Sequence, residues 1–565
     1  MYLKLLKFLY REATGPWLRI TVVSLVVGLC SGGLVAIFNA AAAEQRTSVR
    51  LWLLAGFVAG LVVYLVGSYD ASIQSERMIT GMVRRLRLRL CEKLLYARLS
   101  FLESHGVGEI YTQIGHHIGG MQSAANTILG AAQSAVVVLF VLGYLAWLSL
   151  FGLLFGIAAI IVGAAIYYYY ERQVARLADG MYRKETAFYN ALNDLLHGFK
   201  ELKLRRARHT DLSQDLAQIT GEYRELTLEL SRVSVKSGLT SHTFTYIVIG
   251  VLVFVLPSVF TIGTATIFQF LATILFGVGY IEKLVSAYPG ISRGCIALKE
   301  IERLEAALDS GMEENREPAV TPLPFEGITF DKVCYQFDSQ NTGERFEVGP
   351  LDFELRPGEI VFVIGGNGAG KTTLIKLLTG LYRPLSGAIS APGGIVPAAD
   401  TQAYREMFAV VFSDFHLFRR LYGIKGDDAL APLNELLRDL DIAHKTRIED
   451  GTFTTINLSA GQRKRLSYAV ERLYDRQVYV FDEFASDQDP TFRRYFYRQL
   501  LPDLKRRGKT VVAVTHDDRW FDVADRVVKM EYGQIVEVAG GAAMEAIAAT
   551  HVQPTTRHPQ RPLRA

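Results

Sequence analysis

Six apolar runs limit what this chain can fold into more than any other feature. They lie at residues 17–43, 51–68, 128–149, 151–170, 247–262 and 264–284, and the fifth extends backwards through Thr243-Phe-Thr-Tyr. Each approaches the roughly 20 residues that cross a bilayer as a helix, and in hydrocarbon each backbone N–H and C=O must be satisfied within its own segment. A six-helix, all-α membrane domain is therefore expected. The weakest boundary is at 148–155, where two runs nearly fuse, so Ser149 and Gly152 must make a tight turn. An even number of spans leaves both ends of the membrane part on one side. Residues 1–16 carry Lys4, Lys7 and Arg11 in the manner of a signal peptide. The apolar part that follows is too long for such a peptide and further spans come after it, so an uncleaved anchor is expected. No soluble domain precedes it, and no N-terminal peptidase is expected in this polypeptide.

Orientation follows from the basic residues. Arg84, Arg85, Arg87, Arg89, Lys93 and Arg98 lie between the second and third runs. Arg172, Arg176, Lys184, Lys200, Lys203, Arg205, Arg206 and Arg208 lie between the fourth and fifth. The remaining connections are short, with Arg46 and Arg50 in one of them. Positive residues stay on the cytoplasmic side, which puts both long loops and both termini there. Leu86, Leu90 and Leu94, and then Leu192, Leu195, Leu196 and Phe199, recur at helical spacing, so the spans should continue as helices beyond the membrane. Their arginines read as a solvated face with headgroup anchoring, and the net charge of +4 is modest, so no nucleic-acid partner is expected. Chain reversals are expected at 106–120 and 205–211. His105, His116 and His117 read as polar loop residues, because no cysteine or carboxylate stands at ligand spacing. The cysteines, Cys30, Cys91, Cys295 and Cys334, are scattered, which fits neither a zinc site nor a disulfide framework.

After the last run the composition changes. Residues 309–324 are polar and proline-rich and read as a linker between a membrane domain at 1–308 and a soluble domain at 325–550, with a basic, proline-rich tail at 551–565. The soluble part mixes apolar, charged and glycine-rich segments as an α/β domain does. Its centre is Val361-Phe-Val-Ile-Gly365-Gly-Asn-Gly-Ala-Gly370-Lys371-Thr372-Thr373, a strand that breaks into glycines and restarts as a helix. Gly365 and Gly370 bracket four residues before Lys371 and Thr372, the spacing of a loop whose backbone N–H groups turn inward around a polyphosphate. Asn367, Gly368 and Thr373 complete the expected nucleotide-binding loop. Lys371 offers a point charge for the outer phosphates, Thr372 a hydroxyl for Mg²⁺, and the helix its positive N-terminus. Downstream, Val478-Tyr-Val-Phe481 ends in Asp482 and Glu483, and Thr510-Val-Val-Ala-Val-Thr515 ends in His516. Groups leaving the C-terminal edges of parallel strands converge on a ligand, so Asp482 is placed for Mg²⁺, Glu483 for the attacking water and His516 for the γ-phosphate.

Leu458-Ser459-Ala460-Gly461-Gln462, followed by Arg463-Lys464-Arg465, resembles the LSGGQ-type signature of the ATP-binding cassette family, with Ala460 in place of a glycine. The order of six spans with two long loops and then one cassette is similar to a half-size, type I exporter. The resemblance implies that Ser459, Gly461 and Gln462 close on ATP held by a second cassette. A dimer is then required, most simply a homodimer with two composite ATP sites. It also implies Lys371 and Thr372 as the Walker A pair, Asp482 as the Walker B acid, Glu483 as the catalytic base, His516 as the switch histidine and Asp489 as a dimer-contacting acid. Phe337 stands where the family stacks an aromatic ring on adenine, with Tyr335 as the fallback. Two departures are visible. Ser413, in Val410-Val-Phe-Ser413-Asp414, takes the place of the family's glutamine near Mg²⁺, and Asp487-Gln488-Asp489 makes the following stretch more polar.

These departures resemble bacterial exporters of cyclic peptides, lipopeptides and siderophores such as pyoverdine. The expected protein is an inner-membrane ATPase that exports such a molecule by alternating access, using ATP and Mg²⁺, among membrane lipids. An ATP-driven lipid flippase is an alternative, and an ATP-gated channel or sensor another of a different class. The force of closure is expected to pass through the loop tips near 116–121 and 205–211. Tyr64, Tyr144, Tyr246, Phe268 and Tyr280 could touch cargo, although helix packing and interfacial anchoring account for aromatics at these positions as well. Glu282 and Lys283 read as lying at the cytoplasmic edge rather than in a binding cavity.

Overall fold

A computed structural model of the chain describes residues 1–12, 15, 17–43, 47–105, 107–255, 257, 264–313, 324–338, 345–391, 394–395, 401–424 and 430–540. Two compact units emerge. One comprises Met1–Glu92 and Gly108–Ala307; the other comprises Lys93–Val107 and the chain from Leu308 onward.

The first unit is all helix. An amphipathic helix α1 (Tyr2–Glu12) precedes α2 (Trp17–Ala43) and α3 (Thr47–Leu95). A short helix α4 (Leu99–His105) belongs to the second unit, and α5 (Val107–Leu148), α6 (Leu150–His197), α7 (Phe199–Leu204) and α8 (Arg206–Gly250) follow it. After a π-helical turn at Val251–Val255 come α9 (Thr264–Val285) and α10 (Ala287–Ser310). Among the described residues six helices are long and apolar enough to cross a membrane, one for each expected run; of the fifth run, 247–262, residues 256 and 258–262 lie outside the described residues. The long loops are helical continuations: α3 runs for 49 residues without a break. Ser149 makes the expected turn with extended backbone (φ −172°, ψ 136°), its hydroxyl accepting the N–H of Phe151 at 3.2 Å. The second reversal falls at Arg205, extended between α7 and α8. Of the first, residues 107–120 lie within α5, and Gly106, between α4 and α5, lies outside the described residues.

Packing in this unit depends on small residues, because lipid tails supply no hydrophobic drive between helices. A Cβ on Gly32 of α2 would come within 2.0 Å of the Phe140 ring of α5, so only glycine permits that approach. Asn39, nearly buried, donates to Thr273 Oγ1 (3.2 Å) and the Gln269 carbonyl (3.4 Å), tying α2 to α9. Two arginines have a more specific role than a solvated face. Arg89 of α3 pairs with Glu12 of α1 (2.6 Å) and Glu305 of α10 (2.8 Å), and Arg85 donates to the Glu12 carbonyl.

The second unit is α/β. Strands β1 (Ile328–Asp338), β2 (Arg345–Leu355), β3 (Ile360–Gly365), β4 (Ser386–Ala391), β5 (Gly394–Ile395) and β6 (Phe408–Val411) are followed by β7 (Ile448–Glu449) and β8 (Thr452–Phe453). The last four are β9 (Val478–Asp482), β10 (Thr510–Val514), β11 (Arg526–Glu531) and β12 (Gln534–Gly540). The central sheet has order β12-β11-β3-β10-β9-β6, parallel except for the β11/β12 pair; an antiparallel sheet β2-β1-β4-β5 and the β7/β8 ladder complete the unit. The parallel strands are apolar throughout because both faces are covered. Ile360, Phe362, Tyr479 and Phe481 enter one core, and Val361, Val363, Val478 and Val480 the other. Helix α10 continues through Ser310, so the expected linker begins helical, and Glu313 then makes a fork on Arg405 (2.6 and 2.8 Å). Most of the linker and the whole tail at 551–565 lie outside the described residues.

Candidate functional site

Strand β3 ends at Gly365 with φ +151°, where a Cβ would sit 2.3 Å from the Met530 carbonyl oxygen. Gly370, at φ +96°, ends the loop and helix α11 (Lys371–Leu378) begins. Gly366, Asn367 and Gly368 stand exposed at the loop's mouth, whereas Thr373, in the first turn of α11, is only 7% exposed. The Lys371 ammonium is buried and donates to the Gly365 and Gly366 carbonyls at 2.9 Å each. Burial draws its pKa below that of a free lysine, against the pull of Glu483 and Asp482.

At the end of β9, Asp482 is 1% exposed. Its Oδ2 accepts the Ser413 hydroxyl at 2.9 Å and lies 3.5 Å from Thr372 Oγ1. Burial raises the Asp482 pKa, and the Ser413 hydroxyl and N–H oppose that rise. Thus three hard oxygen donors meet beside Lys371, a set suited to Mg²⁺, which keeps waters and substrate phosphates among its ligands. Among the described residues no cluster of three His, Cys, Asp or Glu residues forms a ready-made metal cage. The next residue, Glu483, holds φ +49°, a left-handed backbone that costs a non-glycine residue about 1 kcal/mol. That twist turns its carboxylate to His516, with Oε1 3.2 Å from Nε2. A groove of about 370 Å³ opens beside this pair, lined also by Arg493, Asp517 and Arg519.

Helix α12 (Ala460–Leu473) starts at Ser459, whose hydroxyl accepts the Gln462 N–H at 3.3 Å while Gln462 Oε1 accepts the Ser459 N–H at 3.2 Å. Among the described residues none of the hydrogen bonds of Ser459, Gly461 or Gln462 reaches the phosphate loop. The polar stretch after Glu483 instead grips α12. Lys464, nearly buried, donates to the Glu483 carbonyl (2.6 Å) and pairs with Asp487 (2.8 Å). Arg465 donates to Gln488 (2.8 Å), pairs with Asp489 and lies 3.8 Å from the centre of the Phe492 ring. Asp489 also caps α13 (Pro490–Tyr495), accepting the Phe492 N–H at 2.9 Å. Sequence reasoning missed this clamp, although Lys464 and Arg465 standing beside Asp487-Gln488-Asp489 in charge were its available signal.

Of the two candidate adenine rings, Tyr335 lies flat against Tyr382 (4.5 Å, 6°), while Phe337 meets Tyr382 edge-on at 5.8 Å and stays half-buried. Tyr382 leads to a contact not anticipated from sequence: its hydroxyl donates to Glu103 of α4, which also accepts from Lys376 of α11 at 2.7 Å. His105 stacks on Phe101 (4.2 Å), and His116 meets His117 edge-on (5.4 Å).

The aromatics singled out in the membrane unit do not gather. Tyr64 and Tyr280 share one cavity with Ser31 and Phe276, Tyr144 lies near Asn39, and Tyr246 and Phe268 are exposed on the outside of the unit. Glu282, exposed and three residues before the end of α9, also lines a separate cavity of about 420 Å³ between α5, α6, α8 and α9, so the expected edge position and a cavity lining coincide at this residue. Lys283 turns away from it, its ammonium 5.8 Å from the Tyr280 ring centre. Sequence could not separate the two, because helix rotation decides which neighbour faces inward.

Comparison with known proteins follows the same division. The family described as ABC transporter transmembrane region matches residues 19–278, and the family described as ABC transporter matches residues 348–486. The ATP-binding protein SyrD of Pseudomonas syringae pv. syringae is 32% identical over 542 residues, 92% of this chain and 94% of that one. An ATP-dependent lipid A-core flippase of Methylobacillus flagellatus is 23% identical over 579 residues, 97% and 94% of the respective chains. The solved structure of a bacterial Atm1-family ABC exporter with ATP bound superposes with a TM-score of 0.75 at 17% identity, covering 95% of this chain and 99% of that one, a likeness of fold.

Proposed function

The chain belongs to the ABC transporter family as an exporter-type half-transporter that binds and hydrolyses ATP to drive transport, and from that premise we propose that its cargo is a cyclic peptide, lipopeptide or siderophore-like molecule. We propose further that it works as a homodimer in the bacterial inner membrane, with ATPase domain and termini cytoplasmic. The observation that carries the dimer is the divided site: Lys371, Asp482, Glu483 and His516 assemble in one place, while the hydrogen bonds of Ser459 stay within its own helix start. A helix N-terminus with free amide donors is suited to a phosphate, so a second chain's Ser459 would complete the cap.

The residues divide the work as follows. Lys371 exchanges its two carbonyl partners for the outer phosphates of ATP. Thr372, Ser413 and Asp482 would hold Mg²⁺, which supplies charge neutralisation at the phosphates. Glu483 accepts a proton from the attacking water, and His516 holds that carboxylate in position. Asp489 supports closure from the α13 cap, and Phe337 offers its half-buried ring to adenine.

The cargo class is supported by the Ser413-Asp414 and Asp487-Gln488-Asp489-Pro490 pattern and by the mixed lining of the Glu282 cavity. Lipid transport is the second reading, favoured by the relatives named ATP-dependent lipid A-core flippase at 22% to 23% identity. The test is a purified transporter reconstituted in liposomes and challenged with cyclic peptides, lipopeptides, siderophores and a labelled lipid. Peptide-stimulated ATPase with ATP-dependent accumulation inside the liposomes is expected. A response to lipid alone would transfer the assignment to the flippase reading.

A further inference from the structure

The Glu282 cavity changes character along its length. Spans alternate in direction, so the late residues of α5 and α8 share an end with the early residues of α6 and α9. That end carries Leu142, Leu145, Ile160, Val248 and Ile274. The opposite end carries Tyr167, Ser234, Ser237, His242 and Glu282. From Ser234 to Val248 the lining follows α8 for on the order of 20 Å at 1.5 Å per residue. The result is a slot with an apolar end and a polar end.

Glu282 is the one lining residue with a formal charge at neutral pH. Among the described residues its carboxylate has no ion-pair partner: Lys283 faces Tyr280, and neither His242 nor Arg293 lies within ion-pair distance. Glu282 is exposed at the polar end of the slot, where its carboxylate is open to a cationic group that enters there. Gly238, where a Cβ would meet nothing within 4 Å, leaves open space along the slot. A long apolar end, and a polar end where hydroxyls stand with one lining carboxylate, match an amphiphile with an acyl-like tail and a cationic head.

We propose that Glu282 is the specificity-determining residue of the transporter, pairing with a protonated amine or guanidinium on an amphipathic cargo whose tail enters the end lined by Leu142, Leu145 and Ile274. This rests on the export reading above and sharpens its cargo class to cationic amphiphiles.

The probes are N-dodecanoyl-glycyl-lysine amide and its Nε-acetyl counterpart, which share a tail and differ in charge. ATPase stimulation and uptake into inside-out vesicles are measured with the full-length transporter. The wild type should respond to the cationic probe at a concentration at least about tenfold lower than to the neutral one. Glu282→Gln should erase that preference with basal ATPase and the neutral response retained, Glu282→Asp should keep it, and Glu282→Lys should transfer it to the Nε-succinyl probe. Equal responses to both probes in the wild type, or a preference that survives Glu282→Gln, overturn the inference and leave the export reading standing. Stimulation by lipid with no response to either peptide removes both.

Discussion

At the end of α12, Glu471 points its carboxyl group at the edge strand β6, where it accepts the Val410 N–H. Burial raises its pKa from 4.5 to about 7, only partly opposed by Arg476 and the Val410 N–H. The folded domain therefore holds this proton more tightly than the unfolded chain. Its contribution is fully present below the ordinary value and is lost as pH rises through about 7. Glu471→Gln should unfold about 2–4 °C higher than wild type at pH 8, corresponding to roughly 1 kcal/mol, and no higher at pH 4, as read by the thermal transition of the ATPase unit in the full chain. Glu483 makes the contrasting case, exposed enough to meet water and held in a strained backbone. Glu483→Gln keeps its shape and its contact with His516 but cannot accept a proton. ATP binding by nucleotide fluorescence should be unchanged while hydrolysis falls by at least about 100-fold. An ATP-gated channel or sensor that transports nothing would keep its activity in this variant; loss of vectorial transport with ATP binding intact removes that alternative.

Helix α4 joins sequence to mechanism at the scale of the element. It is seven residues long, yet Leu99 packs on the ATPase core and Glu103 accepts from both Lys376 and Tyr382. Burial, then Glu103, lift the Tyr382 pKa far above its ordinary value, so the hydroxyl stays a donor at any physiological pH. Through Lys376, on the helix after the phosphate loop, and Tyr382, stacked on Tyr335, α4 is in contact with the elements next to the candidate nucleotide site. Glu103→Gln should leave basal ATPase within about twofold, since it weakens two charge-assisted contacts, each worth roughly 1–3 kcal/mol, and alters none of Lys371, Asp482, Glu483 or His516. The cargo-stimulated increment should fall several-fold, measured as the ratio of stimulated to basal rate in liposomes. The 116–121 segment was the sequence's candidate for this task and lies inside α5 instead. The contrast shows what sequence can carry. Runs such as 151–170 declare themselves because lipid leaves a long apolar run one stable form, and β3 and β9 because both their faces are buried. Ser149 and Gly365 were legible for a similar reason, each being a residue type that its backbone position demands. Arg89, Glu103 and Glu282 were not, since their roles depend on which helix lies opposite, and one chain's spacing does not encode helix rotation.

At the scale of the whole molecule, the question is whether one ATP site belongs to one chain or to two. Lys371 and Ser459 share no hydrogen-bond partner among the described residues, which argues for two. Two arrangements of the same substitutions separate the cases. When Lys371→Ala sits in one chain and Ser459→Arg in the other, a site built across chains leaves one intact Lys371–Ser459 pair per dimer, whereas a site built within a chain leaves none. When both substitutions sit in one chain beside a wild-type partner, the result reverses. Dimers of defined composition, isolated through two affinity tags, should hydrolyse ATP at up to about half the wild-type rate in the first arrangement and at the background rate in the second, as two-fold symmetry requires. The opposite pattern would place the complete site in one chain and remove the reason for a dimer. Equal loss in both arrangements would mean that the two sites fire only together, and occlusion of a labelled non-hydrolysable ATP analogue would then count the intact sites: one per dimer in the first arrangement, none in the second.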